Sequence, residues 1–356
     1  MYFKNFDRPG SLINLKILAV RESLRAGGGS SLNFLTFHAL TIAAIAMSCD
    51  PYISKGEQPR RGTQSEDLMI PSGFEYHRPS SVQEAVALLA QLGEEARPLA
   101  GGHSLIPVMK TRLSAPEHLV DLAGVSGLKG IRQEPGHIVV GAMTTQYEII
   151  GSRLLAETLP ILRETSLQIG DPQIRYLGTL GGNVANGDPG NDMPAVMLCL
   201  DAEYGLAGPD GQRRLRARNF YLGAYDTARK NDEILTEIRV PAPPPGHGYA
   251  YEKLKRMVGD YAVAAAAVIL TMTNGKCTTA SIGLTNVADT PLWAEAAAWA
   301  LIGTGLDQAA IANAAAAAEA ITDPAADGRG PAEYRTKMAG MMVRRAIARA
   351  KSRAQN

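Results

Sequence analysis

A chain of 356 residues has room for roughly two domains of ordinary size, and 46% hydrophobic with 20% charged residues is the balance of a soluble globular protein. A formal net charge of +1 offers no electrostatic grip on nucleic acid or an anionic membrane, so no nucleic-acid partner is expected. The three cysteines (Cys49, Cys199, Cys277) stand far apart and the six histidines form no H-E-x-x-H, so no metal site is expected and the thiols fit a reducing compartment.

Residues 1–68 read differently from the rest. "SKGEQPRRGTQSEDL" is polar and breaker-rich, as linkers are. Phe34 to Ser48 is an apolar run of 15 residues, short of the roughly 20 that a membrane-spanning helix needs. Arg21 and Arg25 before it and Cys49 after it suggest a signal peptide, but its distance from the N-terminus counts against export. The expectation is a dispensable extension or a start codon assigned too early, with organised sequence beginning at Met69.

From Met69 the elements follow in order. "SSVQEAVALLAQLG" predicts a helix with Ser81 as N-cap, Glu84 as capping-box partner and Gly93 as its stop. "ARPLAGG" predicts a strand, "HSLIPVMKTRL" a short helix and "HLVDL" another strand. "HIVVGAM" is a further strand, and "TTQYEII" restarts a helix with Thr145 and Glu148 as capping partners. This alternation argues for α/β or α+β layers. After the proline-rich connector Pro241 to Gly248, "AVAAAAVILTMTNGKCTTASIGLTNV" predicts strands around an Asn274–Gly275 hairpin turn, and alanine-rich helices close the chain. The domains expected are a 69–245 unit and a smaller α+β unit over 246–356.

Two glycine pairs stand out, "AGGHS" and "TLGGN", the second inside "GTLGGNVANGDPGNDMP". Paired glycines permit positive φ and remove Cβ, so backbone N–H groups can converge on an anion. Neither pair has the P-loop Gly-Lys-Ser/Thr or fits G-x-G-x-x-G before a helix. Two such runs flanking one cleft would suit the pyrophosphate of a dinucleotide, with Ser104, Thr179 and Asn183 as side-chain donors. Asp188 and Asp192 offer acceptors for ribose or adenine groups, or else serve as Asx-turn and capping residues. The stretch from Gly178 is therefore expected to be a ligand-shaping loop.

"RPLAGGHSLIPVMKTRLSAPEHLVDL", "PQIRYLGTLGGNVANGDPGNDMPAVM" and "GHGYAYEKLKRMVGDYAVAAAAV" resemble the FAD-binding medium subunit of the molybdenum hydroxylases, the xanthine dehydrogenase family. "GDPGNDMP", "GAYDTA" and "KLKRMVGDYA" point within it to the aerobic carbon monoxide dehydrogenases. The resemblance implies an α+β chain with the FAD-binding fold of the vanillyl-alcohol oxidase type, in two α/β subdomains, and a separate α+β C-terminal domain. It implies that Ala100, Gly101, Gly102, His103 and Ser104 line one side of the FAD pyrophosphate and that Thr179, Leu180, Gly181, Gly182 and Asn183 line the other. Asp192 would hold the adenosine half, Ile234 and Leu235 would pack near the cofactor, Lys253 would stand near the flavin or its phosphates, and Tyr261 would cover the isoalloxazine. None is expected to be catalytic, and His103 in particular reads as a hydrogen-bond donor or a helix cap.

The function so implied is electron transfer, with no contact between this chain and the primary substrate. A large molybdenum subunit, carrying molybdopterin cytosine dinucleotide with molybdenum and copper, would oxidise carbon monoxide. A small subunit with 2Fe–2S clusters would pass the electrons to FAD, and FAD to a quinone, in a dimer of heterotrimers. The implied location is cytoplasmic, with docking at the inner face of the cytoplasmic membrane as a further option. The same subunit serving an aldehyde or N-heterocycle hydroxylase is the alternative. A cofactor-free scaffold and a stand-alone oxidase are the remaining readings; no covalent-flavin site or substrate acid–base pair supports the last.

Overall fold

The computed structural model describes residues 70–355, so the expectations for residues 1–69 lie outside the described residues. Two compact units separate: 70–72 with 108–115, and 73–107 with 116–355. In the first, the Arg112 side chain donates to the Ile70 carbonyl and Leu113 N–H to Val108. The second carries everything that follows except residues 108–110.

In chain order the elements begin with β1 (Glu75–His77), α1 (Val82–Leu92), β2 (Ala96–Leu99), α2 (Leu105–Lys110) and β3 (His118–Asp121). Next come β4 (Ile131–Glu134), β5 (His137–Gly141), α3 (Gln146–Gly151), α4 (Arg153–Thr158), α5 (Pro160–Ser166), α6 (Pro172–Leu177), α7 (Leu180–Ala185) and α8 (Asp192–Cys199). Then follow β6 (Glu203–Gly208), β7 (Gly211–Arg216), β8 (Tyr221–Gly223), β9 (Asp226–Thr227), β10 (Ile234–Pro241) and β11 (Gly248–Leu254). The chain ends with β12 (Ala264–Thr273), β13 (Lys276–Thr285), β14 (Leu292–Trp293), α9 (Glu295–Trp299), α10 (Gln308–Glu319) and α11 (Ala332–Arg353).

A small parallel sheet, β1-β3-β2, packs under α1. An antiparallel sheet, β4-β5-β10-β6-β7, forms the second subdomain, and β11-β12-β13-β14 forms the sheet of the C-terminal part. This is the α+β architecture expected. The capping chemistry holds at α3, where Thr145 and Glu148 satisfy each other's backbone N–H. At α1 the Ser81 hydroxyl caps as expected, but Glu84 reaches one residue further back, to the N–H and hydroxyl of Ser80. Asn274 and Gly275 both have positive φ, 52° and 74°, as a type I′ hairpin turn requires.

β12 explains how the C-terminal sheet is held. Ala265 and Ala267 face the core shared with α5 and α8, whereas Ala264 and Ala266 face the core beneath α10 and α11. Alternate side chains of a strand point to opposite faces. A strand buried on both faces therefore reads as an unbroken apolar run. The small alanines let layers approach closely on each side.

Candidate functional site

The loop after β2 and the segment before α7 lie back to back. A methyl group added at Gly101 would overlap the carbonyl oxygen of Leu177 and stand 2.9 Å from Gly178 Cα. One added at Gly182 would lie 3.4 Å from the Ala100 methyl. Gly102 has φ +74°, which turns the chain into α2. Among the described residues the N–H groups of Gly102, His103 and Ser104 donate to no other group, so they remain open to a ligand.

The second glycine pair departs from expectation. Leu180–Ala185 is not loop but helix α7, with Thr179 as its N-cap. The Thr179 hydroxyl accepts the Gly182 N–H at 3.0 Å, and Gly181 N–H is bound to the Ala142 carbonyl at 2.8 Å. A Cβ at Gly181 would sit 2.6 Å from that oxygen, so glycine here permits the close crossing of α7 over the end of β5. Gly187, with φ +64°, and the Asx-turn from Asp188 to the Gly190 N–H at 2.9 Å carry the chain from α7 to α8.

These segments wall a cleft of about 360 Å3. Ala100, Gly101, Gly102, His103 and Ser104 line one part of it, with Thr179, Gly181, Gly182 and Asn183 beside them. Ile234, Leu235, Asp192, Lys253 and Tyr261 complete the wall. Of the nominated residues, Leu180 and Asp188 do not line the cleft: Asp188 serves the Asx-turn, and the Leu180 side chain is fully buried in the core with its N–H bound to the Thr144 carbonyl. His103 is exposed at the rim, and its ring makes no hydrogen bond among the described residues.

Asp192 and Lys253 do not stand free. They form an ion pair of 2.8 Å with side chains 6% and 2% exposed, so Lys253 is no surface lysine. The other Asp192 oxygen accepts from the Tyr251 hydroxyl at 2.5 Å. Burial, reinforced by the Asp192 charge, holds Tyr251 well above the ordinary tyrosine range. An ionised carboxylate has about four acceptor positions, so Asp192 keeps capacity for a ligand hydroxyl. Ile234 and Leu235 begin β10 and belong to the hydrophobic cores as well as to the cleft wall.

Tyr261 is 40% exposed, with its ring against Gly190, where an added Cβ would lie 2.7 Å from the ring. The Asp188 charge, followed by burial, raises its phenol. Burial in turn raises Asp188, opposed by the Gly190 N–H and the hydroxyls of Tyr261 and Tyr225. Tyr225 and Arg229 are contributions that reading the sequence missed. Arg229 lines the cleft and donates to the carbonyls of Lys230 and Glu233 at 2.7 and 2.9 Å. Burial, then the nearby Arg97, lowers its pKa. Glu233, also in the wall, is clamped by Arg213 through two bonds of 2.6 and 2.7 Å. The charge-dense "ARKNDE" ahead of β10 was the available signal.

A narrow cleft with open backbone donors at one glycine turn, a buried ion pair and an aromatic rim suits an anionic ligand that carries a ring system. Residues 72–243 match the FAD binding domain in molybdopterin dehydrogenase, and residues 249–350 match the CO dehydrogenase flavoprotein C-terminal domain. The carbon monoxide dehydrogenase medium chain of Afipia carboxidovorans is 68% identical over 288 residues, 81% of this chain and 100% of that one. Its counterpart from Hydrogenophaga pseudoflava is 49% identical over 279 residues, 78% of this chain and 97% of that one. A crystal structure of the Cu,Mo-CO dehydrogenase in cyanide-inactivated form superposes with a TM-score of 0.80 at 68% identity, covering 80% of this chain and 100% of that one. This chain belongs to the family of carbon monoxide dehydrogenase medium chains.

Proposed function

We propose that this chain is the FAD-carrying, electron-transferring subunit of a molybdenum- and copper-containing carbon monoxide dehydrogenase. The observation that carries the reading is the cleft itself, in which two glycine segments over 70 residues apart meet face to face. The residues present fit FAD: a Cβ at Gly101 would overlap the Leu177 carbonyl, one at Gly182 would crowd the Thr179 hydroxyl at 2.9 Å, and among the described residues three N–H groups at Gly102 to Ser104 lack partners. In this reading Ala100–Ser104 and Thr179–Asn183 hold the pyrophosphate, Leu180 contributing only through its backbone. Asp192 faces the adenosine half, its charge balanced by Lys253. Ile234 and Leu235 give the apolar wall, and Tyr261 covers the isoalloxazine while Asp188 holds its hydroxyl.

Bound FAD links the one-electron chemistry of iron–sulfur clusters to a two-electron acceptor. The chain's part is to bind and orient the cofactor and to limit water at it. No residue of the cleft is required as an acid or base. Electrons would come from a large molybdenum subunit, through a small iron–sulfur subunit, and leave to a quinone. We assign the complex as a cytoplasmic dimer of heterotrimers that meets quinone at the inner membrane face. No helix among the described residues is long and apolar enough to cross a membrane. The domain boundary falls in the connector between β10 and β11, near residue 245.

The test is a visible spectrum of the complex purified from its host. Flavin and iron–sulfur absorption bleached by carbon monoxide is the expected result. Bleaching only by another substrate removes the carbon monoxide assignment and leaves the FAD site. Absence of flavin, with none taken up on addition of FAD, overturns the proposal.

A further inference from the structure

The rim of the parallel sheet gathers two imidazoles and three carboxylates. β1 and β3 pair in parallel with Glu75 opposite His118. Glu75 and His77, two apart on a strand, share one face. His77 Nε2 lies 3.2 Å from His118 Nδ1, and Glu75 Oε2 lies 3.5 Å from His118 Nδ1 and 4.0 Å from His77 Nε2. Glu95 and Glu117 each bring a carboxylate oxygen within 4.8 Å of a His118 ring nitrogen.

Zinc bonds of about 2.1 Å in tetrahedral geometry hold ligand atoms about 3.4 Å apart. The three atoms of Glu75, His77 and His118 are spaced at that scale already. Both imidazoles are largely shielded by the fold, with side chains 24% and 17% exposed, whereas Glu75 is 74% exposed and free to close the remaining gap. Imidazole nitrogen with carboxylate oxygen selects zinc and its d-block neighbours over magnesium or calcium. The three carboxylates gathered here also favour a cation.

We propose that Glu75, His77 and His118 form a site for a divalent transition-metal ion, with water in the fourth position. Its effect is to clamp the three-residue edge strand β1 onto β3. The sequence hid the site because its two histidines are 41 positions apart and meet only through strand pairing.

The probe is Zn2+ added to the untagged, metal-stripped full chain, followed by calorimetry and by thermal unfolding, with Co2+ as a spectroscopic stand-in. One equivalent binding at micromolar or tighter affinity, a raised unfolding temperature and a tetrahedral Co2+ spectrum are expected. His77→Gln and Glu75→Gln should each weaken Zn2+ binding by about tenfold or more, a tenfold step being about 1.4 kcal/mol. Circular dichroism on the same samples shows that the variants fold, and the exposed Glu75 variant guards against a misfolded histidine variant. No saturable binding by the parent chain, or binding unchanged in both variants, overturns the site and leaves a simple histidine–histidine hydrogen bond.

Discussion

Gly101 and Gly102 are neighbours with different physical reasons to be glycine. At Gly101 an added methyl meets backbone, the Leu177 carbonyl, which cannot move without shifting α6 from the cleft. At Gly102 the obstacle is the end of the Ile106 side chain, 2.6 Å away and able to rotate, plus a left-handed φ costing about 1–2 kcal/mol. Gly101→Ala is therefore expected to lower both stability and FAD retention more than Gly102→Ala, as denaturant midpoints and flavin-to-protein ratios would register; the reverse order would refute the back-to-back packing. The Asp192–Lys253 pair yields a second residue-scale expectation. Asp192→Ala strands a buried ammonium and should cost about 3–5 kcal/mol, whereas Asp192→Asn with Lys253→Met removes both charges and should recover most of it. A small loss in Asp192→Ala alone would show that Lys253 finds other partners, such as the Gln168 carbonyl 3.3 Å away. The cleft residues were legible in the sequence because the two glycine motifs and "GNDMP" carry them. Their pairing was not: Tyr251, and Lys253 although nominated for the site, reach Asp192 across 59 and 61 positions, through sheet packing that no local pattern announces.

Elements with strong local chemistry were legible for the reason that the chemistry is local. The Thr145–Glu148 box and the Asn274–Gly275 turn each satisfy their own backbone within a few residues. α7 was missed because Gly181–Gly182 reads as a breaker, at a cost of about 1 kcal/mol per glycine in a helix. The Thr179 cap and the tertiary bonds to Ala142 and Thr144 override that preference. The connector between β10 and β11 supplies a pH expectation. His247, 8% exposed, has Nδ1 2.9 Å from the Pro244 carbonyl, and its Nε2 has no hydrogen-bond partner among the described residues. Burial outweighs that hydrogen bond and lowers the imidazole pKa. The unfolded chain, with a histidine near 6.5, then takes up the proton first, so this contribution is complete above that pH and is lost as pH falls toward the folded value. Urea midpoints should decline between about pH 7 and pH 5, and His247→Gln should reduce the slope. An unchanged slope would mean that the ring accepts its proton in the folded state at no cost.

At the scale of the whole molecule, α8 is the part on which the two family regions and the cleft all depend. Every one of its residues is buried, which a helix can tolerate only between layers. On one side it shares the core of the five-stranded sheet, and on the other it meets β12 and β13. There the Cys199 thiol donates to the Ser281 carbonyl at 3.2 Å, and burial pushes its pKa up to about 12, so it stays a thiol. The approach is closest at Gly283, where an added methyl would overlap the Ala195 carbonyl oxygen. Asp192, the first residue of the same helix, reaches the cleft and pairs there with Lys253 from β11. Gly283→Ala must push α8 and the C-terminal sheet apart, and overpacking of this kind costs about 1–3 kcal/mol. Displacement of α8 relative to β11 would also disturb the ion pair, although Gly283 itself does not line the cleft. The denaturation midpoint and the flavin retained on gel filtration should therefore fall together. A lower midpoint with full flavin retention would show that the cleft tolerates movement of α8, and that the C-terminal sheet supports the fold without setting the geometry of the cofactor site.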